Sequence, residues 1–341
     1  MKAIAVPRFY DSLNELGVSE LPIPQPETDE ILIRVVAAGV NYVDILYAQG
    51  LHQNNKTLVR PPFTLGLEFA GIVVSSPPNS QFNPGDRVFG DHSGSYAEFI
   101  ALPADSDSLQ KIPPSWDFVD AAGLGATLPV PYGALVLRGG LKAGETVLVH
   151  SAAGGIGAMA TQVAVALGCR VLGTAGSPGK CAYAQSLGAD LCVDYSQKDW
   201  WEQILQATNG KGVDIIFDPV GLVDRSLKCL AHRGRVLVVG FAGRKGEMEK
   251  IAMNRVLLKQ ATLTGYRYGE SLRRDHKEKR RIWCELQPLI DSGRIRPTVS
   301  HCYSGLESVP QALKDLGSRK ISGKAVIKIA NDQTTPSGPR L

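Results

Sequence analysis

Cysteine is scarce and poorly placed for metal or disulfide work. The 341-residue sequence holds six, at 169, 181, 192, 229, 284 and 302, with none before Cys169 and none in a Cys-x-x-Cys pair. That pattern predicts neither a disulfide framework nor a structural zinc lobe, and it suits a reducing compartment. Charge of one sign is also missing. The 37 basic and 33 acidic residues leave a net charge of +4, too mild by itself to imply nucleic acid or a membrane as partner. The stretch Met1–Arg8 has no apolar run followed by small residues, so no secretory signal is expected. Residues 146–169 carry no Lys, Arg, Asp or Glu, yet Gly154, Gly155, Gly157, Gly168, His150, Ser151 and Gln162 interrupt them. A strand, a tight turn and a buried helix explain that stretch better than a bilayer span. With 44% hydrophobic residues and room for two domains, a soluble, cytoplasmic two-domain protein is expected.

What is present changes character along the chain. Residues 1–128 read as β-rich, with strand candidates at Glu30–Val40, Ala70–Val74, Arg87–Phe89 and Tyr96–Ala101 separated by turn sequences such as Asn83-Pro84-Gly85-Asp86. After about residue 130, strands alternate with gaps long enough for helices: Thr146–His150, Arg170–Thr174, Leu191–Val193, Val213–Phe217, Arg235–Val239 and Ala261–Thr264. Several are unbroken apolar runs, the mark of a parallel sheet covered on both faces. The predicted class is α/β: a doubly wound parallel (Rossmann) sheet over 129–270, plus a β-rich domain from 1–128 together with 271–341. The basic run Ser271–Ile282 is expected to be a solvated helix face, with a nucleic-acid patch as the competing reading. The polar tail from Asn331 is expected to fray, and Pro339-Arg340-Leu341 faintly echoes a peroxisomal terminus.

The strongest chemical signal is Val147-Leu148-Val149-His150-Ser151-Ala152-Ala153-Gly154-Gly155-Ile156-Gly157, a buried strand running through a small-residue turn into the helix expected at Ala158–Leu167. Small side chains let backbone N–H groups approach a pyrophosphate, and the helix start behind them favours negative charge. An NAD site places an acid about 20 residues on, at the end of the second strand. No acid occurs between Glu145 and Asp190; that strand ends in Gly173-Thr174-Ala175-Gly176-Ser177-Pro178-Gly179-Lys180. Ser177 can donate a hydrogen bond and Lys180 supplies positive charge, so NADPH is expected over NADH. An ordinary exposed lysine is the competing reading of Lys180.

These segments, with Leu187-Gly188-Ala189-Asp190 and Phe217-Asp218-Pro219-Val220-Gly221, resemble the medium-chain dehydrogenase/reductase superfamily. Gly66-Leu67-Glu68-Phe69-Ala70-Gly71, Gly85-Asp86-Arg87-Val88-Phe89-Gly90 and Gly94-Ser95-Tyr96-Ala97-Glu98-Phe99 are similar to its GroES-like catalytic domain. The zinc enzymes need a Cys near position 41 and a Gly-His-Glu at the Gly66 segment; Asn41 and Gly66-Leu67-Glu68 stand there instead, and a lone Glu68 cannot hold zinc. No metal site is therefore expected. Asn41-Tyr42-Val43-Asp44, Gly50, Tyr195 and Arg319 resemble zinc-free quinone oxidoreductases of the zeta-crystallin type.

The resemblance implies roles. Asn41 would lie beside the nicotinamide and substrate, and Ala153, Gly154, Gly155, Ile156 and Gly157 would hold the pyrophosphate. Gly176, Ser177, Lys180, Tyr195 and Arg319 would surround the adenosine phosphate. Pro219, Val239, Gly240 and Phe241 would line the nicotinamide ribose and carboxamide. Val130 stands where the family has a threonine near cofactor and substrate, and Leu46 replaces a tyrosine, with Tyr47 displaced by one. For Asn41 a turn-stabilising amide is the competing reading, and for Tyr195 a half-buried core tyrosine.

The expected reaction is hydride transfer from NADPH to a quinone, with Asn41 polarising the acceptor and Tyr47 or Tyr132 as proton-donor candidates. Isolated His92, His150 and His301 are expected to be structural. Two other activities remain open: reduction of an enone or enoyl thioester, and a non-catalytic, crystallin-like protein that binds NADPH or RNA. A homodimer through the Rossmann edge strand Ala261–Thr264 is also expected.

Overall fold

The computed structural model describes residues 1–52, 59–244 and 248–330, so the tail that carries Pro339-Arg340-Leu341 lies outside the described residues, as does part of the loop after Gly50. The chain divides into two compact units, one of Met1–Ala126 with Val299 onward and one of Thr127–Thr298.

The first unit is built on a seven-stranded sheet. Its central strand, Glu30–Val40, alternates at its start, burying Ile31, Ile33 and Val35, then becomes buried throughout from Val35 to Val40. The change in pattern follows its neighbours. It pairs antiparallel with Glu68–Ser75, with Phe99–Pro103 and, at its far end, with Lys324–Lys328. The strand expected at Tyr96–Ala101 begins only at Phe99. Tyr96 instead exchanges backbone bonds with Leu65 and Ile4, outside that ladder.

The second unit holds six parallel strands in the order 191–194, 170–175, 146–149, 213–218, 230–238, 262–265. In chain order that is 3-2-1-4-5-6, the doubly wound dinucleotide arrangement, and it reverses direction between 146–149 and 213–218. The central strands are apolar on both faces because helices cover both: Val147, Leu148, Val149, Ile215, Ile216 and Phe217 are fully buried.

Residues 271–298, expected with the first domain, pack within the second unit. The helix His276–Asp291 buries Ile282, Trp283, Leu286, Leu289 and Ile290 on one side. Polar ties hold it: Arg138 to Glu278, Tyr266 OH to Glu278 at 2.9 Å, and Tyr132 OH to Glu285 at 2.8 Å. Its charge run is broken at Asp275, whose carboxylate accepts from the Lys277 N–H at 3.0 Å and starts the helix. Glu270 pairs with Arg273 and Arg274, and Glu285 with Arg281, so much of the run's positive charge is matched along the helices. Among the described residues, no helix is long and apolar enough to cross a membrane.

Candidate active site

In the second unit the first strand ends at Val149, and the chain turns sharply through Ser151, whose φ of 53° lies in the left-handed region, into the helix Gly155–Ala166. The helix starts earlier than the sequence suggests, inside the glycine run. Gly157 is required there: a Cβ would collide with the Ser151 carbonyl. The turn is knitted by Ala152 N–H to Thr174 O (2.9 Å) and Gly154 N–H to Ser151 O (2.8 Å). The first-turn N–H groups of Gly155, Ile156 and Gly157 have no acceptor inside their own helix, an arrangement whose free donors and dipole favour negative charge.

His150 stands behind the turn as a buried strut. Its Nδ1 meets Thr174 Oγ1 at 2.9 Å, its Nε2 meets Ser226 Oγ at 2.7 Å, and its ring packs edge-on to Trp200. Burial lowers its pKa, which favours the neutral ring.

The other predicted cofactor residues of this unit gather at the same end of the sheet. At one side, the Tyr195 hydroxyl lies over Gly176, where a Cβ would come within 2.6 Å of it. Ser177 starts the helix Pro178–Ser186, its Oγ accepting from the Lys180 N–H at 3.4 Å. At the other side, the Asp218 carboxylate gathers the N–H groups of Val220, Gly221 and Leu222 at 2.6–2.8 Å and fixes the turn that carries Pro219. Val239 N–H bonds the Asp218 carbonyl at 2.9 Å, and a Cβ on Gly240 would stand 3.0 Å from the Pro219 carbonyl. Thus Pro219, Val239 and Gly240 form one backbone ledge, with Phe241 beside Gly221. Val130 is half-buried in the turn of helix Pro129–Tyr132.

Asn41 belongs to the first unit and sits where Glu30–Val40 gives way to the helix Tyr42–Ala48. Sheet register sets its company. Ala325 opposes Val40, so Lys324 falls alongside Asn41; Phe69 opposes Ala38, so Glu68 falls beside Gly39. Asn41 Nδ2 donates to Glu68 Oε1 at 2.9 Å, and Lys324 Nζ donates to Asn41 Oδ1 at 2.6 Å. Lys324 and Glu68 are themselves paired at 2.5 Å with their side chains 4% and 0% exposed. The second Glu68 oxygen accepts from the Ala126 N–H at 2.7 Å. Asp44, fully buried, accepts from the Asn41 N–H (2.9 Å) and from Tyr96 OH (2.7 Å). Burial pushes its carboxyl up to about 7. Asn41 itself is half-buried.

The two tyrosine candidates separate. Tyr47 is half-buried, its ring 4.7 Å from that of His52, and it lines a cavity of about 200 Å³ with Arg60, Phe63, Leu67 and Ser93 among its walls. Tyr132 has its proton committed to Glu285, and burial with that carboxylate raises its pKa. In this arrangement Tyr132 tethers a helix rather than offering an acid. Arg319 is exposed at the end of helix Val309–Gly317 with φ of 59°, in the first unit, whereas Ser177, Lys180 and Tyr195 are in the second. Sequence reasoning missed Lys324. The available signal was a lysine heading the apolar run Ala325-Val326-Ile327. Among the described residues, no group of His, Cys, Asp and Glu gathers as a metal site.

An alcohol dehydrogenase GroES-like domain matches residues 27–114, and a zinc-binding dehydrogenase domain matches 155–282. A quinone oxidoreductase from Sus scrofa is 35% identical over 333 residues, covering 96% of this chain and 97% of its own. Of solved structures, a mycobacterial protein complexed with NADPH is 30% identical with a TM-score of 0.85, over 96% of this chain and 99% of that one. The enoyl reductase CurK is 25% identical with a TM-score of 0.86, over 96% and 99%. With identity of this level sustained over almost its entire length, the chain belongs to the quinone oxidoreductase family of the medium-chain dehydrogenase/reductase superfamily.

Proposed function

We propose that this protein is an NADPH-dependent, zinc-independent oxidoreductase that reduces a quinone. The observation that carries the reading is the Asn41 amide, a neutral donor seated among fixed charges where zinc relatives require a thiolate. Asparagine and Leu67 offer zinc nothing, so activation of the acceptor falls to hydrogen bonding. A quinone accepts hydride under such mild activation because the hydroquinone anion it forms is delocalised.

NADPH supplies the hydride when bound. The residues of the second unit fit it: open first-turn amides at 155–157 suit the pyrophosphate, and no carboxylate ends strand 170–175 to repel a 2′-phosphate. Ser177 and Lys180 are the proposed phosphate contacts, with Tyr195 beside them and Arg319 as a further candidate. Asn41 would donate to the acceptor oxygen as charge builds there. Tyr47, which lines a cavity with Arg60, Phe63, Leu67 and Ser93, is the proposed proton source.

Steady-state rates with 9,10-phenanthrenequinone, 1,4-benzoquinone, an enone and an enoyl-CoA test the assignment. A clear preference for a quinone is expected. Preference for the thioester would replace it by the enoyl reductase reading, which the similarity to CurK favours. Lys180→Ala should weaken NADPH about tenfold while sparing NADH, the loss of one charge-assisted contact; equal affinities for NADPH before and after would remove Lys180 from the site.

The homodimer proposal rests on the strand Thr262–Gly265, which ends the sheet, and on Met253, Leu257 and Leu258, which are 63–77% exposed on the helix before it. Sedimentation at micromolar concentration should show two chains per particle, and a pure monomer would sink the claim. The six free cysteines suit a reducing compartment, and the cytoplasm is the proposed location.

A further inference from the structure

Lys324 is a buried lysine to which the proposed reaction gives no task. It is 3% exposed and comes from the other end of the chain, yet it lies within hydrogen-bond distance of Asn41, the side chain proposed to polarise the acceptor. The surroundings are shaped to admit it. A Cβ on Gly123 would stand 2.8 Å from Lys324 Cγ, so glycine clears a slot for the lysine stem. A Cβ on Gly39 would stand 2.6 Å from the Ala122 carbonyl and would also strike the Glu68 carboxylate, so glycine again makes room for the charge.

An amide can turn over, exchanging its oxygen and nitrogen at little steric cost. Here the two flanking charges forbid the exchange. The reversed amide would set N–H against the ammonium and carbonyl oxygen against the carboxylate. As found, Oδ1 faces Lys324 and one Nδ2 hydrogen faces Glu68. The second Nδ2 hydrogen has no partner among the described residues.

We infer that Lys324 is a positioning residue for the reduction, and that with Glu68 it locks the Asn41 amide so that its remaining N–H is presented to the acceptor oxygen. This rests on the reading of Asn41 as the donor to the acceptor. Held so, the donor needs no reorientation as negative charge develops, and the ammonium behind its carbonyl strengthens it. Lys324 itself need not touch the acceptor.

The test uses the full-length enzyme with NADPH and 1,4-benzoquinone, comparing Lys324→Met, Lys324→Arg, Asn41→Ala and the double variant Asn41→Ala/Lys324→Met. Lys324→Met should lower kcat about 10- to 100-fold, the scale of lost outer-shell support, with NADPH affinity and quinone KM little changed. Lys324→Arg should recover most of that loss. In the Asn41→Ala background, removing Lys324 should cost nothing further. Losses that multiply in the double variant would overturn the inference while leaving Asn41 in place. Wild-type kcat in Asn41→Ala would instead overturn the reading of Asn41, and the inference with it. Should Lys324→Met fail to fold, the neutral pair Glu68→Gln/Lys324→Met keeps the question open to measurement: the same fall in kcat supports the inference, and full activity overturns it.

Discussion

The two candidate sites are built in opposite ways. The cofactor turn of the second unit is backbone, drawn from eleven consecutive residues that end at Gly157. The polar cluster of the first unit is side chain, assembled from Asn41, Glu68 and Lys324, the last separated from Asn41 by 283 positions. A backbone site survives most changes of side chain and fails when an added atom blocks the approach. A side-chain site fails when one charge loses its partner, because the remaining charge stays buried.

Variants can break that contrast. Lys324→Met should have the largest effect, costing about 3–5 kcal/mol in stability by leaving Glu68 unpaired in the interior. The neutral pair Glu68→Gln/Lys324→Met should recover most of it in urea unfolding; equal losses in both would mean that lost packing, not charge, is responsible. Asp44 in the same unit should show in the pH dependence. Its carboxyl, at about 7 in the folded protein against an ordinary 3.8, keeps a proton that the unfolded chain releases between those values. Stability should therefore fall as pH rises through that window, and Asp44→Asn should flatten the slope. His150 works in the opposite direction, losing stability as pH drops below its ordinary 6.5 because burial holds it neutral. That contribution is common to both proteins and cancels in the comparison, so an unchanged slope would sink the assignment to Asp44.

On the backbone side, Gly157→Ala should cost about 1–3 kcal/mol, since the added Cβ meets the Ser151 carbonyl rather than a side chain that can swing away. NADPH binding should weaken with it, as a fluorescence titration would show; intact affinity would mean that the turn tolerates the shift. The smallest effect belongs to Tyr132→Phe, about 1 kcal/mol for one hydrogen bond, with kcat untouched. A fall in kcat with unchanged stability would restore Tyr132 as a proton donor.

Much of the second unit was readable in advance because its signals are local. Strand Arg170–Ala175 ending without an acid, and the glycine run after Val149, need only neighbours in sequence to be understood. The membership of residues 271–298 was not readable, since Ser271–Ile282 looks like a solvated face from its charges alone. Its allegiance is decided by Glu278 and Glu285, which reach Arg138, Tyr266 and Tyr132 far back in the chain. Asn41 was recognisable as a candidate, but its two charged neighbours were not. Lys324 reads in sequence as the polar start of an ordinary strand.

By itself the sequence determined the alternation of strand and helix, the small-residue bend and the presence of Asn41 and Leu67 where the zinc enzymes need Cys and His, because each depends on residue type at short spacing. Only the tertiary structure decided which way the Asn41 amide faces. That choice depends on the register of the strands on either side, 68–75 and 324–328, and register comes from packing a whole sheet, which no short stretch of chain encodes.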